Sequence, residues 1–94
     1  MSDHLRRAQI WHGAIREALI DRWDPIGVRE FLDAQDEYDN YVPTIYRLLV
    51  TLRPRKELFD YLWWLETEHM GLRGDRQATE AFVDYLLDLA QELK

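Results

Sequence analysis

The sequence predicts an all-α fold: a compact four-helix bundle, antiparallel or orthogonal, with an irregular segment between helices 1 and 2, forming one helical domain over residues 1–94. Three observations carry that expectation. Apolar residues recur at spacings of three and four in four separate segments. Proline or glycine stands where those segments meet. No stretch sustains the two-residue alternation of a half-buried strand.

The first helix is expected from about His4 to Trp23, where Leu5, Ala8, Trp11, Ile15, Ala18 and Leu19 form one stripe. Asp24-Pro25 ends it, because proline disfavours helical geometry in the residue before it, and Gly27 adds a second break. Residues 24–40 are irregular, with Ile26, Val28, Phe31 and Leu32 apolar enough to pack. Val42, Ile45, Leu48, Leu49 and Leu52 mark the second helix, with Pro43 tolerated in its first turn, Asp39 or Asn40 placed to cap it and Arg53-Pro54 closing it. The third runs from about Arg55 to Met70 on Leu58, Tyr61, Leu62, Leu65 and His69, and Gly71 suits a left-handed C-cap. Asp75 is placed as N-cap of the fourth, striped by Ala78, Ala81, Phe82, Tyr85, Leu86, Leu89 and Leu93.

A domain this small buries only about two thirds of its unfolded surface, so it needs a dense core; a composition of 47% hydrophobic and 13% aromatic residues supplies one. The absence of cysteine excludes disulfides, thiolate metal sites and cysteine nucleophiles, and packing alone holds the fold. Twelve Lys and Arg against eighteen Asp and Glu leave a net charge of −6. Residues 1–56 hold nine acids and nine bases, whereas residues 57–94 hold nine acids and three bases, Arg73, Arg76 and Lys94. Nucleic-acid binding needs a basic face, so that class is disfavoured, and a basic protein partner fits better. No apolar run reaches the length of a signal sequence or a membrane span, and the expected location is cytoplasmic.

Two linked motifs stand out: Trp23-Asp24-Pro25-Ile26-Gly27 and, shortly after it, Asp36-Glu37-Tyr38-Asp39. With Ile45, Leu48, Leu49 and the stretch from Glu66 to Leu72, they resemble the YugE-like proteins, which carry a WDP-(I/L)-G segment ahead of a DEYD segment. The resemblance implies a small helical bacterial protein and brings no catalytic residue with it. From the residues themselves, both motifs read as scaffold: Trp23 packs, Asp24 bonds to nearby amides and Pro25 fixes the turn, while Asp36, Glu37 and Asp39 sit at the positive end of the second helix. Asp33, Asp36, Glu37 and Asp39 offer no register with the ligand spacing of a calcium loop.

Glu66 and His69 form a Glu-x-x-His pair of the kind that di-iron bundles project inward. Such sites need a second pair and two further glutamates, and neither His4 nor His12 has a glutamate three residues earlier, so no metal, cofactor or catalytic residue is assigned. Nor does any glycine pattern match a phosphate-binding loop.

Several apolar residues fall off the main stripes. Phe59, Trp63 and Val83 fit a wide core. Trp64 projects toward the side of Asp60 and Glu68, and Leu87, like Ile10, is displaced from its helix's stripe. Trp64 and Leu87 either line that wide core as well or form an exposed patch beside Asp60 and Glu68, and on the second reading Trp64, Leu87, Asp60 and Glu68 are the partner-binding residues. The expected function is a non-enzymatic protein-interaction module, an immunity or adaptor protein engaging a basic partner. A metal-binding enzyme centred on Glu66 and His69, and a structural homodimer, are the alternatives.

Overall fold

In the computed structural model, which describes residues 2–23 and 38–93, all regular structure among the described residues is helical. Helix α1 spans Ser2–Ala18 and widens into a π-turn over Leu19–Trp23; α2 spans Val42–Val50. Helix α3 spans Arg55–Trp64 and widens into a second π-turn over Leu65–His69, and α4 spans Arg76–Leu93. Four helices and no strand among the described residues make this the all-α bundle class that the periodicity predicts. No helix among them is long and apolar enough to cross a membrane. Contacts group the chain into two compact units, Met1–Arg47 and Leu48–Lys94, and the division falls inside α2.

In the first unit, Trp11, Ile15, Ala18 and Leu19 are buried as their spacing requires. Leu5, expected on the same stripe, is 64% exposed, because it lies more than a turn before the first buried residue. Trp11 meets Tyr46 edge-on at 5.7 Å, and Arg16 pairs with Asp39 at 2.7 Å, so the start of α2 runs antiparallel to α1. Asp39, expected as a cap of α2, lies instead in a 3₁₀ turn over residues 38–41 and accepts a hydrogen bond from Arg16 Nε.

The end of α2 departs from expectation at Leu52. The helix stops at Val50, Leu52 takes φ +56°, and the residue is 71% exposed rather than part of the stripe. Two bonds explain the turn: Arg53 N–H donates to Leu48 C=O at 3.1 Å and Leu52 N–H to Leu49 C=O at 3.3 Å. This is the paired pattern of a Schellman cap, which puts Leu52 in the left-handed position that glycine normally fills.

In the second unit, α3 and α4 form an antiparallel hairpin. Leu58, Phe59, Leu62 and Leu65 face Phe82, Val83 and Leu86 as its buried set. The α4 stripe is rotated from the one expected: Ala78 and Ala81 are exposed, whereas Thr79, Val83 and Ala90 are buried. Alanine tolerates either side, so the larger residues decide the phase. Arg55, at the start of α3, reaches Asp84 Oδ1 at 2.9 Å and Glu80 Oε2 at 2.9 Å, and the Arg76 guanidinium lies 4.9 Å from the centre of the Phe59 ring. Asp75 caps α4 as expected, accepting from Ala78 N–H at 3.1 Å. Gly71 and Gly74 both take positive φ, +71° and +83°.

Candidate interaction face

The end of α3 sorts its side chains inward and outward. An α-helical i, i+3 pair shares a face, but a π-turn holds more residues per turn and rotates such a pair farther apart. Over Leu65–His69 this separates the Glu-x-x-His pair: Glu66 is buried, at 4% exposure, and His69 is exposed. Among the described residues, no group of three or more His, Asp or Glu side chains is arranged to hold a metal ion.

On the outer side, three rings form a ladder. Trp64 is 48% exposed, with Tyr61 stacked at 6.5 Å and 21° on one flank and His69 at 5.5 Å and 26° on the other. Asp60 and Glu68, one turn before and after Trp64, are exposed. Lys56 pairs with Asp60 at 2.6 Å, a surface contact of little energetic weight. Leu87 is half-buried, on the flank of α4 whose Val83 and Ala90 are buried, so it offers less surface than Trp64. Tyr61, assigned by spacing to the core stripe, belongs half to this ladder; its place three residues before Trp64 was the available signal.

On the inner side, Glu66 Oε2 lies 2.5 Å from Thr79 Oγ1. Burial holds the Glu66 carboxyl above the usual carboxylate range; the bond from Thr79 opposes this and the negative charge of Asp75 adds to it. Thr79 is fully buried and was invisible to an apolar-stripe reading because it is polar.

The motif residues in the first unit give a partial picture. Tyr38 is fully buried, and its ring lies 5.6 Å from that of Trp23, so the described end of each motif meets the other. Asp24, Pro25, Gly27, Asp36 and Glu37 lie outside the described residues. A cleft of about 220 Å³ opens among His12, Gly13, Arg16, Asp39 and Val42; its His12 ring packs on Tyr46 at 4.8 Å, and its Arg16 and Asp39 are paired.

Counted by unit, the charge is evenly shared: Met1–Arg47 and Leu48–Lys94 each hold nine acids and six bases. The acidic excess seen after residue 56 arises because Arg53, Arg55 and Lys56 fall just before it. In the fold these three bases pair with Glu57, Asp84 and Glu80, and Asp60. The chain matches no protein-family model, and no curated protein or solved structure matches it significantly.

Proposed function

We propose that this protein is a non-enzymatic protein-interaction module that engages a basic partner through the Tyr61–Trp64–His69 ladder, with Asp60 and Glu68 at its rim. The observation that carries the reading is the exposure of Trp64, 48% in a molecule that buries Trp11 and Tyr38 almost completely. Tryptophan on a protein surface supplies a large apolar area at low entropic cost, and interfaces concentrate their binding energy on such anchors. The net charge of −6 favours encounter with a basic surface, and an immunity or adaptor role is consistent with such a pairing.

The test is recovery of partners from the native cells by tagged wild-type protein, W64A and the rim pair D60N/E68Q, with helicity of each variant checked by circular dichroism. A folded W64A should lose its specific partner, and the rim variant should weaken capture most at low salt. Recovery of the same partner at the same yield by folded W64A would remove the reading. Mass measurement by light scattering at high concentration separates a second copy of this chain from a different partner.

A further inference from the structure

The Thr79 hydroxyl has one proton and faces two acceptors. Its Oγ1 lies 2.5 Å from Glu66 Oε2 and 3.0 Å from the carbonyl oxygen of Asp75. With an ionised Glu66, all the oxygens opposite that hydroxyl only accept, and its single proton must be shared between the two contacts. A protonated Glu66 resolves the arrangement: its O–H donates to Thr79 Oγ1, and the Thr79 O–H donates to Asp75 C=O. The 2.5 Å spacing sits at the short end for an O–H···O bond.

We propose that Glu66 is a proton latch: protonated, it closes the α3–α4 turn through Thr79 and Asp75, and on losing that proton it releases the π-turn that holds His69 against Trp64. The latch regulates the docking face, and to that extent it rests on the function proposed above.

The charge that acts on Glu66, that of Asp75, favours the closed, protonated form. From the turn and α4, the ionisable side chains near this end are Arg73, Asp75, Arg76 and Glu80; from its own helix they are Glu68 and His69. Arg76 is drawn to the Phe59 face, Glu80 is held by Arg55, and His69 stacks on Trp64. Asp75 acts on Glu66 directly, and its charge opposes a second carboxylate. The same turn carries the bonds that opening must disturb: Met70 N–H to Leu65 C=O at 2.8 Å and Leu72 N–H to Glu66 C=O at 2.9 Å. Moving Glu66 toward water therefore moves the residues between Trp64 and His69.

Because the folded protein holds the carboxyl above its unfolded value, the stabilisation is complete below the unfolded glutamate range, about 4.3, and is lost as pH rises through the folded value. Within that window the folding constant falls by up to about tenfold per pH unit relative to E66Q, in which an amide N–H donates to Thr79 at every pH. The experiment is a ¹³C titration of the Glu66 carboxyl by NMR in the wild-type protein, with the Trp64 indole and His69 ring signals followed in parallel. Wild type, E66Q and D75N are also unfolded chemically across the same pH range.

The expected result is a Glu66 midpoint well above 4.3, Trp64 and His69 shifts that share it and are missing from E66Q, and a lower midpoint in D75N, which keeps a capping side chain without the charge. A Glu66 midpoint at or below 4.3, or a folded E66Q less stable than wild type at neutral pH, overturns the latch. Trp64 and His69 signals that ignore the Glu66 midpoint also overturn it. Should E66Q fail to fold, the wild-type titration and D75N decide. Loss of partner capture by W64A beside an ordinary Glu66 titration removes the latch alone; unaltered capture beside a raised midpoint removes the docking face and leaves the latch on the turn.

Discussion

Replacing Leu52 by glycine and by alanine should reverse the usual order of those two residues at a helix. Inside a helix alanine is better than glycine by about 1 kcal/mol. At Leu52 the backbone is left-handed, with φ +56°, and any Cβ there costs about 1–2 kcal/mol. Glycine removes that cost but gives back about 0.4–1 kcal/mol through the greater freedom of its unfolded chain. Both variants delete a side chain that is 71% exposed, so their lost burial is shared and cancels in the comparison. L52G should therefore exceed L52A by about 0.8 kcal/mol, the middle of a range from about 0 to about 1.6 kcal/mol, and the middle value is roughly 3–6 °C in Tm for a domain of this size. Thermal and urea unfolding followed by circular dichroism measure both differences. An L52A clearly more stable than L52G, the order found inside a helix, would refute the assignment of Leu52 to the left-handed position of a Schellman cap.

Gly74 and Gly71 should separate by the same logic with packing added. Both have positive φ, but a Cβ on Gly74 would stand 2.8 Å from the Trp63 ring and 2.9 Å from Thr67 Cγ2, whereas one on Gly71 meets open space. G71A should cost about 0–1.6 kcal/mol, strain less the unfolded-chain freedom that glycine loses, and G74A about 1–4.6 kcal/mol with overpacking added, and equal losses in urea unfolding would count against this account of the turn. Gly13 is the opposite case: it lies inside α1, and an added Cβ touches nothing within 4 Å, so G13A should raise stability by about 0.8–1 kcal/mol. A G13A protein that melts lower than wild type would show that the site needs its glycine for another reason.

Much of the fold was legible because the large residues leave few options. Ile15, Leu19, Ile45, Leu62 and Leu86 are fully buried, each on the stripe its spacing predicts. The Asp75 cap and the Gly71 turn were legible from chemistry that few other residues provide. Leu52 was misread because its spacing continues the α2 stripe, while its backbone is set by the cap that ends the helix. The phase of α4 was misread because Ala78 and Ala81 extend an apolar pattern at no cost when exposed, and because Thr79 hides a core position behind a hydroxyl. The even division of charge was obscured for a related reason: a cut after residue 56 separated three bases from their acids, Arg53 and Lys56 from the i+4 partners Glu57 and Asp60 and Arg55 from Glu80 and Asp84 across the hairpin.

The candidate face was half legible, and the missing half is the π-turn. Composition and helical geometry mark Trp64 as out of place beside Asp60 and Glu68, and its 48% exposure agrees. Neither can show that one added residue in the turn changes the phase of all that follows. In an unbroken α-helix, Glu66 and His69 would share a side, the arrangement that makes Glu-x-x-His look like a ligand pair. The widened turn sends the acid in to Thr79 and the imidazole out to Trp64. A buried acid and a surface ring thus depend on the same few hydrogen bonds, so a change of charge at one has a mechanical path to the other.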